Sequence, residues 1–242
     1  MFPRFLSACI FFTFFVTNAQ AGAFQIDPVR VELSPDQLSA ALVLRNDDKE
    51  TSVIRIEARA WTQKNGEDVF ESSKQILVTP PIATIAAGAE QVVRVALRRP
   101  LDPEQELTYR IFLQEVPPPP RPGFNGLQVA LRISIPVFAV PGSSATPKPT
   151  WKIKYQAHEH ALFIGATNEG NAHLQVQDFK LLKPGTDTVL AMQSISSYLL
   201  GGQNREWTIK LDPSVRISGT RLRLMAMTDA GNLDQELEID AP

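Results

Sequence analysis

The chain has 242 residues, of which 43% are apolar and 21% are charged, and its formal net charge is −2 at pH 7. These values are typical of a soluble globular protein and exclude wholesale disorder. The small net charge produces no field that would attract nucleic acid, so a general phosphate-binding role has little support. The length fits one large domain or two ordinary ones.

Residues 1–21 are predicted to form a secretory signal. Arg4 supplies the positive charge, residues 6–16 form a short apolar segment, and Ala19-Gln20-Ala21 has the small-x-small pattern of a cleavage site. A second such triplet also allows cleavage after Ala23. The apolar segment is too short for a spanning helix, and an uncleaved N-terminal anchor is the alternative interpretation. We therefore expect an exported protein whose mature chain is not inserted in a membrane.

The only cysteine, Cys9, lies inside this signal. The mature chain is thus predicted to have no disulfide, although disulfides persist in the compartment it enters. Its stability must come from packing and hydrogen bonding.

The first half of the mature chain consists of short segments that alternate between apolar and polar residues, as β-strands do. Asp27-Pro28 interrupts the first segment and predicts a kink or bulge, and Asn65-Gly66 lies in a hairpin signal. No long segment has helical periodicity with caps. About seven strands in roughly 115 residues predict an immunoglobulin-like sandwich. The predicted strands are 24–33, 38–44, 52–61, 76–79, 91–97, 107–116 and 127–137.

The last of these strands carries the longest aliphatic row in the chain. Its apolar positions are Leu127, Val129, Leu131, Ile133, Ile135 and Val137. Such a strand would span roughly 36 Å, about twice the usual length. Two interpretations are open, because the row fits a core strand of a large sandwich and also an edge strand that lends side chains to an incomplete partner.

Residues 142–149 are small, polar and proline-bearing, which is typical of a domain linker. A second strand series follows and predicts a smaller sandwich of about 90 residues. Its predicted strands are 151–156, 161–167, 174–182, 207–211, 220–227 and 236–239. The predicted organisation is a signal peptide over 1–21, a first sandwich over 22–141, a linker over 142–149 and a second sandwich over 150–242.

Four segments, taken in order, resemble the PapD-like periplasmic chaperones of the chaperone–usher pilus pathway. Residues 23–31 look like the first strand of that family, and residues 127–131 match its donor strand. Thr79-Pro80-Pro81 followed by residues 87–94 is similar to its Pro-Pro and Pro-Gly-x-x-Gln-x-x-Arg pattern, with alanine at the first position of the second part. Residues 109–117 resemble its penultimate strand. The resemblance implies two immunoglobulin-like domains in a boomerang arrangement.

The resemblance also implies a function. Chaperones of this family complete the sheet of pilus subunits that lack a strand, which is a form of β-augmentation, and deliver them to an outer-membrane usher. By position, the donor residues are Leu127, Val129, Leu131 and Ile133. The implied protein is periplasmic, is not an enzyme, needs no cofactor, and has a donor edge through which free copies could self-associate.

The family anchors the C-terminal carboxylate of its subunit between two basic residues. Arg30 matches the arginine of the first strand, whereas the usual second residue, a lysine, has no counterpart here. Arg110 is the best substitute, and its Tyr109-Arg110 context resembles the archaic branch; Arg132 is a weaker third candidate. A guanidinium binds a carboxylate through two parallel hydrogen bonds. The competing interpretation is that these arginines form intramolecular ion pairs.

Other classes of function have weaker support. His158 and His160 would share a strand face, but no cysteine or carboxylate motif joins them, so we predict no metal site. No nucleophile elbow, P-loop or dinucleotide motif is present, which disfavours a β-sandwich enzyme. An exported pilus subunit or adhesin is the remaining alternative, although a subunit would carry its donor segment at the mature N-terminus.

Overall fold

The computed structural model describes residues 24–119, 129–217 and 219–240. Within these ranges the chain forms 17 strands in three sheets and contains no helix, hence none that could cross a membrane. The prediction of an all-β protein with two sandwich domains is confirmed.

The first domain contains ten strands. They are β1 (Phe24–Asp27), β2 (Val31–Leu33), β3 (Ser39–Asn46), β4 (Ser52–Lys64), β5 (Glu67–Ser72), β6 (Ile76–Thr79), β7 (Ile82–Ile85), β8 (Glu90–Leu97), β9 (Leu107–Val116) and β10 (Arg132–Ala139). One sheet has the order β1-β3-β8-β6, and the other has the order β2-β10-β9-β4-β5 with β7 also paired to β4. Alternate residues of both sheets face a shared core that includes Leu42, Ile56, Val93, Ile111 and Val137.

The predicted first strand is divided into two at Asp27-Pro28, where the peptide bond is cis. β1 pairs with β3 in one sheet, whereas β2 pairs in parallel with β10 in the other. The kink expected from the proline is therefore the point at which the chain passes from one sheet to the other, because proline cannot continue a ladder.

The predicted long strand over 127–137 is shorter and lies further along the chain, since β10 begins at Arg132 and ends at Ala139. Ile135 and Val137 are buried in the first core. The core interpretation of the aliphatic row is correct for its second half. Leu127 lies outside the described residues.

The second domain contains seven strands in one sheet. They are β11 (Pro149–Gln156), β12 (Ala161–Asn168), β13 (Leu174–Leu182), β14 (Val189–Leu199), β15 (Asn204–Lys210), β16 (Arg221–Thr228) and β17 (Leu233–Asp240). The order is β14-β13-β16-β17-β11-β12-β15, and only two residue pairs join β17 to β11. Both halves of the sheet contribute to a second core, which includes Trp151, Ile164, Phe179 and Leu224. The predicted boundaries at 141 and 150 stay a prediction.

The two domains meet through a small aromatic cluster and a set of hydrogen bonds. Trp61, Phe138 and Leu200 are buried together, with Tyr198 packed against them. Gln63 is 5% exposed and links the domains, because its Oε1 accepts from Leu200 N–H at 3.0 Å and its Nε2 donates to the Tyr198 carbonyl at 2.9 Å. These contacts hold the C-terminal end of β4 against the C-terminal end of β14.

Candidate functional site: an interdomain cleft and an open strand edge

A cleft of about 810 Å³ lies between the domains. From the first domain it is lined by Val29, Arg30, Asp68, Arg110, Ser134 and Pro136, and from the second by Gln175, Ile195, Ser196, Ser197, Tyr198, Arg205 and Trp207. The structure thus brings the two predicted anchor arginines, Arg30 and Arg110, to one cavity. Their role as a carboxylate anchor stays a prediction.

Arg110 is held between aromatic rings. It lies on β9 opposite Pro136 of β10, and its Cζ is 4.0 Å from the Trp61 ring centroid and 5.1 Å from that of Tyr198. Cation–π attraction of this kind fixes the guanidinium in place. Burial lowers the pKa of Arg110, while Tyr198 and Asp68 act in the opposite direction. An anionic partner stabilises such a partly desolvated cation more than it stabilises a fully solvated one.

Arg30 has partners within the chain. Its Nη1 is 3.0 Å from Asp229 Oδ2, across the domain boundary, and its Nε is 3.2 Å from Glu32 Oε1. The intramolecular ion pair that competed with the anchor hypothesis therefore exists for this residue. Because the Arg30 side chain is 39% exposed, the pair contributes little to stability on its own.

Arg132, the weaker third candidate, is not among the residues that line the cleft. It lies at the start of β10 opposite Gln114, with its Cζ 4.7 Å from the Phe112 ring centroid. It is thus placed on the outer face of the sheet, four residues from Pro136 at the cleft.

The predicted donor residues lie where the aliphatic row leaves the core. Ile133 packs against the first core, Leu131 is half-buried at its rim, and Val129 is 74% exposed. Leu131 is tied to β9, because Glu115 N–H donates to its carbonyl at 2.9 Å. The row therefore changes from core to surface along a single chain segment.

One edge of β10 is open beside this row. β2 pairs only with Val137–Ala139, whereas β9 pairs with the whole of β10. Within the described part of the chain, residues 132–136 therefore have a ladder partner on one side only. An unpaired edge of this kind is the structural requirement for strand addition.

The histidines do not converge on a site. His158 and His160 lie at the turn after β11, where His160 Nε2 is 3.0 Å from the Asp212 carbonyl. His173 stacks on Phe138 at 3.4 Å and is 2.8 Å from Glu106 Oε1, so it belongs to the domain interface. Among the described residues, no group of three metal-ligating side chains is found.

Sequence reasoning did not identify the second-domain wall of the cleft. Ser197, Tyr198 and Trp207 come from β14 and β15. No local pattern marks them, because they line the same cleft as Arg110 only through the packing of the two domains.

The fold is that of a two-domain β-sandwich protein with an open strand edge beside a basic interdomain cleft. The family model described as pili and flagellar-assembly chaperone, PapD N-terminal domain, matches residues 23–145, and this chain belongs to that family. The predicted resemblance is confirmed. No curated protein matches the chain.

Solved structures share the fold. A chain of the CsuC–CsuE chaperone–tip adhesion subunit complex, from the archaic Csu pili of Acinetobacter baumannii, has a TM-score of 0.67 at 18% identity and covers 91% of this chain and 100% of its own. The CupB2 chaperone of Pseudomonas aeruginosa has a TM-score of 0.55 at 14% identity, covering 89% and 100%. A chain of the SafA pilin–SafB chaperone complex of Salmonella enterica has 0.58 at 13%, covering 92% and 98%. The archaic branch expected from the Tyr109-Arg110 context stays a prediction.

Proposed function

We propose that this protein is a periplasmic chaperone that binds pilus subunits by completing their sheet with its own donor strand and passes them to an outer-membrane usher. The observation that carries the proposal is the open edge of β10, which has an exposed aliphatic side chain at one end and the arginine-lined cleft at the other. The family membership of the chain supports it.

The two ends of this edge would act on different parts of a subunit. A subunit strand that pairs with residues 132–136 gains main-chain hydrogen bonds that depend little on sequence. Val129 and Leu131 would fill the groove left by the missing strand, and burying one such side chain contributes roughly 1.5–3 kcal/mol before the costs of binding. Leu127 would extend the same row.

The cleft would fix the register of the pairing. Arg110 lies directly opposite Pro136 in the ladder, so a carboxylate bound to its guanidinium ends the added strand at the cleft. A bidentate contact constrains both distance and direction. Arg110, on the strand next to β10, would thus take the role of the second basic residue, which is a lysine in the family.

The mechanism needs no catalytic group, metal or cofactor. Release would follow from exchange with the donor segment of the next subunit, so no ATP is needed. The predicted signal over residues 1–21 would direct the protein to the periplasm. The open edge would also allow two free copies to associate until a subunit arrives.

Co-expression with a pilus subunit encoded beside this chain tests the proposal. The native chain should hold the subunit in a soluble one-to-one complex, whereas folded Val129→Asp, Leu131→Asp and Arg110→Ala variants should lose it. If the folded variants retain the subunit as well as the native chain does, neither the aliphatic row nor Arg110 takes part in binding and the proposal fails.

A further inference from the structure

Three side chains of the interdomain cleft carry a buried polar atom without a hydrogen-bond partner in the described parts of the chain. These atoms are Arg110 Nε, Ser197 Oγ and Trp207 Nε1. Buried polar groups in native proteins are almost always paired, so each exception calls for an explanation. Arg110 belongs to the first domain and the other two to the second, and all three residues line the same cleft.

The second-domain wall owes its shape to a bulge in β14. Val176 pairs with Ser197 and Asp178 with Ser194, so β14 contains one more residue than β13 in this interval. Ser196 absorbs the extra residue with a φ of 50°, which is uncommon for a side chain other than glycine. Bulges of this kind redirect side chains and occur next to functional sites, and here the redirected residue is Ser197.

Packing in the second core fixes the position of Trp207. Its indole is 8% exposed and packs against Trp151 and Phe179 at centroid distances of 6.1 and 5.2 Å. Arg205, two residues earlier, lines the same cleft but already donates to the Tyr198 carbonyl at 3.1 Å and is 3.3 Å from Asp68. Among the described residues of this wall, the buried donors without a partner are therefore the Ser197 hydroxyl and the Trp207 N–H.

We infer that Ser197 and Trp207 are binding residues of the cleft that donate hydrogen bonds to the C-terminal carboxylate of the bound subunit, together with Arg110. The guanidinium and indole groups are donors only, and a hydroxyl rotates to donate. A carboxylate has about four acceptor positions and no donor, so the fork of Arg110 leaves positions for a hydroxyl and an indole. The inference rests on the proposed function, because it names further contacts of the anchor proposed there.

An anchor with residues from both domains would also connect the domains to each other. A carboxylate held by Arg110 on β9 and by Ser197 and Trp207 on β14 and β15 would bridge the two domains. Occupation of the cleft would then stabilise their relative position, since a ligand that binds one arrangement more tightly shifts the population towards it.

Peptide binding tests the inference. The probe is a synthetic peptide that copies the C-terminal segment of a pilus subunit, prepared as the free acid and as the amide, with binding measured by calorimetry. The native protein should prefer the free acid. Ser197→Ala and Trp207→Phe should each reduce that preference about tenfold, the loss expected for one hydrogen bond to a charged group, and Ser197→Thr should restore it.

The matched controls are Ser194→Ala, which removes an exposed hydroxyl from the same strand, and Trp151→Phe, which removes an indole of equal burial from the same aromatic cluster. Both should keep the native preference. In the native protein, the indole N–H resonance of Trp207 should move when the free acid binds and that of Trp151 should not, and this measurement needs no variant to fold.

The outcomes separate the two proposals. If Arg110→Ala abolishes the preference while Ser197→Ala and Trp207→Phe keep it and the Trp207 resonance stays, the second-domain donors are not part of the anchor and the proposed function stands. If the native protein and Arg110→Ala bind acid and amide equally, the anchor itself is wrong and the inference fails with it.

Discussion

Val129 and Ile135 belong to one aliphatic row, yet Val129 is 74% exposed and Ile135 is 2% exposed. The residues are an even number of positions apart, which places them on the same side of an extended chain. Ile135 is part of the first core, whereas Val129 lies beyond its rim. If the proposed function is correct, stability and subunit binding depend on different residues of the same row, and mutation can separate them.

An aspartate at each end of the row should change the free energy of unfolding to very different extents. Val129→Asp places a carboxylate in water and should change the free energy of unfolding by less than about 0.5 kcal/mol. Ile135→Asp buries an unpaired carboxylate and leaves a cavity, and should destabilise the protein by about 4 kcal/mol or prevent folding. Urea denaturation of both variants measures the difference.

The control for this experiment is Val189→Asp, because Val189 is 48% exposed on β14 and lies away from the donor edge. It should behave like Val129→Asp in unfolding but should keep the subunit. A large loss of stability in Val129→Asp would show that the residue packs on the domain and would contradict its assignment as a donor.

Gln63 should be a main determinant of the link between the domains. Gln63→Ala removes the acceptor of Leu200 N–H and the donor to the Tyr198 carbonyl, so we expect a loss of about 2 kcal/mol, the cost of leaving buried polar groups unpaired. Thermal unfolding measures it. The exposed Gln193 on β14 provides the control, since Gln193→Ala should be neutral within about 0.5 kcal/mol. Equal effects of the two substitutions would contradict the assignment.

The pair of Arg30 and Asp229 should matter more for binding than for stability. Both side chains are partly exposed, at 39% and 21%, so a double-mutant cycle should give a coupling energy below about 1 kcal/mol. Arg30→Ala should weaken retention of a pilus subunit, whereas Asp229→Asn should not, because it frees the guanidinium and keeps the oxygen that accepts Gln175 N–H at 2.7 Å. Equal loss of the subunit in both variants would identify the pair as structural and remove Arg30 from the anchor.

Tyr198 should make the protein less stable in alkaline solution. Burial raises the pKa of the Tyr198 phenol, and the nearby Arg110 and Arg30 oppose the shift only in part. Below about pH 10 the phenol is neutral in both the folded and the unfolded chain, and above it the unfolded chain ionises first. Stability should therefore fall as the pH rises from about 10 towards the folded pKa. The urea midpoint of Tyr198→Phe should fall less over this pH range than that of the native protein. An equal fall in both proteins would contradict the prediction.

The strands with strict alternation were predictable from the sequence, since β3, β4 and β9 each face the core with every second residue. β14 was missed because the bulge at Ser196 reverses the alternation within the strand. β7 was not predicted, because Pro80-Pro81 indicates the end of the short strand over 76–79, whereas Ile82–Ile85 forms a further strand that pairs with β4.

The site was predictable only where it follows the strand pattern or the family motif. Arg30 and Arg110, which line the cleft, and the aliphatic row were identified in this way, and their roles in binding stay predictions. The aromatic rings that hold Arg110 were not, because Trp61 and Tyr198 are distant in sequence and meet only across the domain interface. The same reason hides Ser197 and Trp207. Contacts between domains leave no periodic trace in the chain.

The most direct test of the central claim uses a cysteine introduced into the aliphatic row. Cys9 lies in the predicted signal, so Val129→Cys would give the mature protein one thiol. We predict that this thiol reacts rapidly with a maleimide in the free chaperone and is protected in the complex with a pilus subunit, while Val189→Cys reacts in both states. Equal labelling of position 129 in the free protein and in the complex would contradict donor-strand complementation by this row.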